Sequence, residues 1–227
     1  MLPIRGVTLG VHNIRIVYGT EVTEQLIEVR TDNIYHKVSM RGNLPQDVAT
    51  QSVPSYYKST YKVGDYYDDG TKQGVVFYVD SSGQHGKIVS LDQVEKQWCS
   101  RAQYDKHIVV GASSMSDGKA NTDKVMSHSD SAEYPAFVWC RAKGNDWYLP
   151  AIDELKILLL ESSVHQAVNS TLKERGGVAL YDRGEDVAYW SSTELDESFA
   201  LDVTMYLGNT FAALKKGNPY VRAVSAF

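Results

Sequence analysis

The sequence predicts an α+β fold with a small β-rich module at its N-terminus, and three observations carry that reading. Strand-like segments come first, three amphipathic helical segments follow, and strands return in the last fifty residues, which is not the regular βαβ alternation of a doubly wound sheet. A polar stretch with two prolines interrupts the chain near residue 50 and marks a boundary. The 227 residues are 43% hydrophobic and 22% charged, enough apolar material for one sizeable core and a minor companion.

In chain order, residues 7–9, 14–18, 25–30 and 34–40 read as short strands, punctuated by Gly10, Gly19 and Asp32-Asn33. Residues 43–55, with Pro45 and Pro54, read as a linker, so the boundary falls between Pro45 and Thr60. The expected domains are 1–55, the β-rich module and linker, and 56–227, the main domain. The module is too short to bury much by itself. It is expected to lean on the main domain or on another subunit, and an oligomer formed through residues 1–55 is one expectation.

The main domain opens with Tyr61-Lys62-Val63-Gly64-Asp65-Tyr66-Tyr67 and the turn Asp68-Asp69-Gly70. Residues 74–79 and 86–91 form a hairpin around the turn Asp80-Ser81-Ser82-Gly83. Residues 102–128 are polar and rich in glycine and serine, and read mostly as loop. Pro135 begins a first helix, with Tyr134, Phe137, Val138 and the stem of Arg141 on its inner side and Gly144-Asn145 ending it. A second begins at Pro150, with Asp153 and Glu154 in its first turn and Ile152, Leu155, Leu158 and Leu159 as its inner stripe. A third runs from about Ser163 with Val164, Ala167, Val168 and Leu172 inward, stopped by Gly176-Gly177. Residues 187–190, 198–207, 211–214 and 220–227 then read as strands.

Composition excludes several roles. Lysine and arginine number 23 against 28 acids, a net charge of −5, so the broad positive field that supports nucleic-acid binding is missing. No apolar run approaches the ~20 residues needed to cross a bilayer, and the N-terminus carries no apolar segment of a signal peptide. Fifteen tyrosines favour either a binding surface or simply a strand-rich fold. Cys99 and Cys140 match no zinc or redox spacing; they form either one disulfide or, the preferred reading, two buried thiols.

Motifs for catalysis are missing as well. The six histidines are scattered, with no pair at metal-ligand spacing. Residues 111–119 lack the glycine spacing of a phosphate loop, and Ala120 stands where magnesium would need a hydroxyl. A Cys99–His107 dyad has no orienting group or oxyanion donor beside it. Asp68-Asp69 and Asp153-Glu154 fit a turn and a helix start. The chain therefore reads as a non-enzyme with no catalytic residue, no metal and no cofactor.

Seven blocks in order resemble a known family. They are Gly86-Lys87-Ile88-Val89-Ser90-Leu91, Gln97-Trp98, Asp117-Gly118-Lys119-Ala120-Asn121-Thr122, Tyr134-Pro135-Ala136 through Cys140, Asp146-Trp147-Tyr148-Leu149-Pro150-Ala151-Ile152-Asp153-Glu154-Leu155, Tyr189-Trp190-Ser191-Ser192-Thr193-Glu194, and Val221-Arg222-Ala223-Val224-Ser225-Ala226-Phe227. Over residues 61–227 the chain resembles a bacterial domain of C-type lectin fold, typified by the C-terminal domain of Legionella collagen-like proteins. The pair formed by Trp190-Ser191-Ser192-Thr193-Glu194 and the closing Val-Arg-Ala-Val-Ser-Ala-Phe also resembles the variable region of diversity-generating retroelement proteins, in which adenine-directed mutagenesis rewrites ligand-contacting residues.

That likeness implies a non-enzymatic binder displaying a variable surface. The residues it places there are Leu195, Asp196, Ser198, Leu201, Asp202, Thr204, Tyr206, Asn209, Thr210, Phe211, Asn218 and Tyr220. Glu197, Met205 and Lys215-Lys216 cannot be reached from an asparagine codon by changing adenines and would be scaffold or lie outside the mutable codons. The implied partner is a protein or a surface glycan, and the implied location is extracellular or the cell surface, with a leader absent from this sequence. The alternative is an undiversified cell-surface or pilus-associated adhesin or structural module of the same fold. Trp147 and Trp190 are expected in the core, and Arg222 is expected to hold Glu194 or Asp153. The calcium-dependent sugar site of animal lectins is not expected, because neither Glu-Pro-Asn nor Gln-Pro-Asp occurs. The related formylglycine-generating enzymes need cysteines that are missing here after Cys140.

Strand alternation makes one more expectation. It buries Phe199, Leu201, Val203, Met205 and Leu207 and exposes Ser198, Ala200, Asp202, Thr204 and Tyr206. A variable contact surface would instead leave some of Leu201, Leu207 and Phe211 in solvent.

Overall fold

The computed structural model describes residues 60–227 and, before them, the backbone of 10–18 and 21–29. The chain divides into Met1–Thr60 and Tyr61–Phe227. In the first unit, β1 (Gly10–Tyr18) and β2 (Glu21–Val29) pair antiparallel from Gly10 opposite Val29 to Tyr18 opposite Glu21. These contain most of the expected strands 14–18 and 25–30, with Gly10 opening a strand instead of ending one. The expected strands 7–9 and 34–40 and the linker 43–55 lie outside the described residues.

The second unit is α+β. Strands β3 (Tyr66–Asp68), β4 (Gln73–Val79), β5 (Gly86–Val89) and β6 (Val94–Glu95) come first. Helices α1 (Arg101–Tyr104), α2 (Gly118–Met126), α3 (Pro135–Arg141), α4 (Ile152–Leu160) and α5 (Ser162–Glu174) follow. Strands β7 (Ala188–Glu194), β8 (Phe199–Thr204), β9 (Asn209–Leu214), β10 (Tyr220–Val221) and β11 (Val224–Ala226) close the chain. They form two sheets, β11-β5-β4-β3 and β6-β10-β7-β8-β9, antiparallel except for the parallel pair β10–β7. The last eight residues thus serve both sheets. Val221 pairs with β6, Val224 pairs with Val89, and Phe227 exchanges backbone bonds with Gly86.

Two cores fill the space. Helices α4 and α5 pack on β4, and α4 on β8, through Ile152, Leu155, Leu158, Leu159, Val164, Val168 and Leu172, all buried with Val75, Val89, Val203 and Met205. The second core centres on Trp98 and Trp190 with Tyr134, Phe137, Trp147, Ala200 and Val221. Trp98 meets the Tyr134 and Phe137 rings edge-on at 5.6 and 4.8 Å, the preferred aromatic arrangement. Both expected tryptophans are therefore core. On α3 the inward residues are Phe137 and Cys140, whereas Val138, expected inward, is exposed.

The stretch 102–128 corrects the expected loop, since it holds most of α1 and all of α2. Helix α2 has no apolar stripe because polar side chains carry its buried face. Asp117 caps it by accepting from the Ala120 N–H. Asn121 donates to the Ser114 carbonyl and the Ser192 hydroxyl, and Thr122 accepts from the Leu149 N–H. Its entry requires Gly118, where an added Cβ would sit 2.5 Å from the Ala151 nitrogen. Cys99 and Cys140 are both free and buried, the preferred reading, and burial raises the Cys99 thiol to about 11.

Candidate functional site

The twelve residues proposed for the ligand surface fall on β8, β9 and the loops around them, and the base of that hairpin is locked from below. At Trp190 strand β7 leaves register with β8 and regains it at Glu194. The freed residues bond elsewhere. The Trp98 indole donates to the Ser191 carbonyl, the Ser192 N–H to the Pro150 carbonyl, and the Ile152 N–H to the Thr193 hydroxyl. The Thr193 hydroxyl in turn donates to the Ser114 carbonyl. This stitches β7 to the starts of α2 and α4, so four of the seven resembling blocks meet at one knot.

Glu194 completes the base. Its carboxylate accepts from Lys215 Nζ at 2.7 Å, from the Val110 N–H at 2.9 Å, from the Gly111 N–H and from the Ala112 N–H. Both charged side chains are 1% exposed. Lys215 Nζ also donates to the Asp196 carbonyl and lies 4.8 Å from the centre of the Trp98 ring. A buried pair holds only when its remaining donors and acceptors are satisfied, which is the case here. Lys215 is thus scaffold, as is the buried Met205.

Arg222 corrects the expected carboxylate pairing. It is fully buried, and among the described residues it donates to neutral acceptors: the Gln93 side chain at 3.0 Å, the Ser90 carbonyl at 2.9 Å and the Val178 carbonyl. Burial lowers its guanidinium to about 10. The expected partners serve elsewhere, Glu194 on Lys215 and Asp153 on Lys156.

Above this base, strand β8 departs from simple alternation because it is covered on both faces. Val203 and Met205 join the helix-backed core, Leu201 is half-buried against it, and Ala200 joins the tryptophan core. Asp202, expected at the surface, is 4% exposed. It lies in register with Trp190 on one side and Phe211 on the other. Among the described residues its Oδ1 has no hydrogen-bond partner, and burial raises its carboxyl to about 7, offset only in part by the Phe211 N–H.

The remaining predicted residues divide by role. Asp196 is exposed, but it builds its turn by accepting from the Ser198 and Phe199 N–H groups at 2.8 and 2.7 Å. Ser198, Thr204 and Thr210 are half-buried, and Asn209 and Asn218 are exposed. Tyr220 is half-buried with its hydroxyl 3.0 Å from that of Tyr181. Leu195, Tyr206 and Phe211 are exposed, and with them Leu207 and Leu214. Tyr206 at 61%, Leu207 at 58% and Phe211 at 43% exposure form an apolar and aromatic surface at the tip and outer strand. Leu214 was not among the predicted residues. It is exposed because it lies on β9 at the edge of its sheet.

Two clefts lie away from this hairpin. One of about 230 Å³ is lined by Phe77, Tyr78, Lys87, Ser116, Asp153, Glu154 and Ile157. The Glu154 carboxylate there is consumed in structure, accepting from Lys87 Nζ, the Tyr148 hydroxyl and the N–H groups of Gly118 and Ala151. The other, of about 280 Å³, is polar and holds the Lys143–Asp92 pair. Both fall below the usual size of small-molecule sites. Among the described residues no group of three or more His, Cys, Asp or Glu could hold a metal, and no helix is long and apolar enough to cross a membrane.

No family model matches the sequence, and no curated protein is similar to it. Among solved structures the chain is similar to a fimbrial protein from Bacteroides ovatus, with a TM-score of 0.54 and 16% sequence identity. The likeness covers 73% of this chain and 49% of that one, so this chain spans about half the length of the fimbrial protein. At that identity the shared property is the α+β fold.

Proposed function

We propose that this chain is a surface-exposed, fimbria- or pilus-associated module that works by contact, without catalysis. The observation that carries the reading is the pairing of a locked base with an open apolar tip. The buried Glu194–Lys215 pair fixes the root of the hairpin, while Tyr206, Leu207 and Phe211 stand in solvent, where such side chains mark an interaction surface. The fold likeness to a fimbrial protein supports the class of role. The C-type lectin-like reading is supported by the resembling blocks meeting at one knot under β7, and the partner is a protein or surface glycan.

One observation favours a finer reading, a diversified surface. Leu207, in the turn after β8, and Phe211, on the edge strand, are apolar and exposed, as a rewritten contact surface requires. An adenine-rich near-copy of the 3′ coding sequence beside a reverse transcriptase gene would support it; a neighbourhood without one returns the chain to the undiversified module.

The direct test is adhesion. Beads coated with the full chain should attach to cell monolayers, and the triple substitution Tyr206→Ser, Leu207→Ser, Phe211→Ser should abolish attachment with the fold retained. Attachment unchanged by the triple substitution would refute the assignment of this surface.

A further inference from the structure

The second unit has four strands at sheet edges, and three of them are blunted. β6 has two residues and ends in Glu95, β3 has three and ends in Asp68, and β11 has three, with Val224 bridged to Tyr148. These are the short or charged edges by which proteins avoid strand-to-strand association. β9 differs in every respect. It has six residues, Asn209–Leu214, with no charge and no proline, and it pairs with β8 residue for residue without a bulge. None of its residues is buried.

The phase of the ladder says which groups of β9 have no backbone partner among the described residues. The Lys215 N–H donates to the Ser198 carbonyl, so these two form a hydrogen-bonded pair. Counting back by twos, Ala213 and Phe211 also bond toward β8, whereas the N–H and C=O of Thr210 and Ala212 point away from it.

We infer that β9 is a two-fold association edge, pairing antiparallel with β9 of a second copy of this chain. The register follows from the free groups. Thr210 of each copy hydrogen-bonds Ala212 of the other, and Phe211 falls opposite its own counterpart. That central pair is of the non-hydrogen-bonded kind, where side chains approach closest and two aromatic rings gain most. A two-fold axis sets each charge near its like, and an uncharged strand is the one edge here that tolerates this. The nearest lysine, Lys215, is already neutralised by Glu194. Such pairing caps both open edges at once and closes the assembly at two copies. A single six-residue edge lies at the small end of stable interfaces, so the dimer should dissociate in the range of about 1–100 μM. Phe211 is shared with the proposed adhesive surface, whereas Tyr206 and Leu207 lie off β9, so association and adhesion are read by separate measurements.

The full chain tests it by light scattering or sedimentation across that range, together with cysteine cross-linking. Expected is a concentration-dependent monomer–dimer shift in the native chain and an association at least tenfold weaker in Ala212→Lys. Under mild oxidation Phe211→Cys should form a disulfide-linked dimer, while Tyr206→Cys, at a more exposed position off the edge, should not. The native chain supplies the background, since Cys99 and Cys140 are buried. A native chain that stays monomeric, a dimer unchanged by Ala212→Lys, or equal cross-linking at 206 and 211 would each overturn the proposal. If Ala212→Lys fails to fold, the cross-linking comparison decides alone.

Discussion

Strands β7 and β9 flank the same neighbour, β8, yet six of the seven residues of β7 are buried and none of the six in β9 is. The difference lies in what each strand is asked to bond. β7 carries Trp190 into a core, then gives up its ladder register so that Ser191 can hold the Trp98 indole and Ser192 and Thr193 can tie down α2 and the start of α4. Every change there is felt in three elements. Among the described residues β9 bonds on one side only, and its side chains could be exchanged at small cost to the body. The molecule thus separates the residues that hold it together from those free to meet something else, one strand apart.

The largest break in this comparison should come from Glu194→Ala. It strands Lys215 in the interior and leaves the N–H groups of Val110, Gly111 and Ala112 without their acceptor. Removing one member of a buried pair costs about 3–5 kcal/mol. Thermal unfolding should therefore fall by on the order of 10 °C.

Asp202 gives the next effect and sharpens the picture of β8. Its carboxyl is raised from 3.8 to about 7 by burial, so the folded state holds the proton that the unfolded chain releases. Stability from this group is complete below about pH 4, declines as pH rises towards 7 and then levels off. Urea unfolding should show a loss on the order of a few kcal/mol between pH 4 and pH 8. Asp202→Asn should remove most of that slope and be the more stable protein at pH 8. A slope that persists in the variant would assign it to other groups.

Gly118→Ala is expected to cost about 1–3 kcal/mol, because a methyl group there meets the backbone at Ala151 and Leu149, and neither can retreat without moving α4. An unchanged midpoint in urea would show that the entry of α2 is looser than its contacts indicate.

Much of this was legible in the sequence and some was not, for identifiable reasons. Helices α3, α4 and α5 carry apolar stripes or proline and glycine punctuation, which periodicity detects. Helix α2 escaped because Asn121 and Thr122 bury themselves by hydrogen bonding, and a polar buried face has no hydrophobic period. The alternation of β8 misled because one sheet face was assumed wet, whereas Ala200 and Asp202 are covered as fully as Val203 and Met205. Arg222 looked like half of an ion pair, and no pattern in sequence announces a guanidinium satisfied by carbonyls and an amide. The exposed surface was half readable. Tyr206 and Phe211 were anticipated from their place after the Trp190 block, but the open edge is a property of strand order, which pairing decides and local sequence does not.

The smallest expected effect tests the central claim most directly. The triple substitution Tyr206→Ser, Leu207→Ser, Phe211→Ser touches only exposed positions, each worth about 0.5 kcal/mol or less. Its thermal midpoint should stay within about 4 °C of the native protein. A drop as large as that of Glu194→Ala would show that these side chains support the fold, and that the hairpin has no surface to spare.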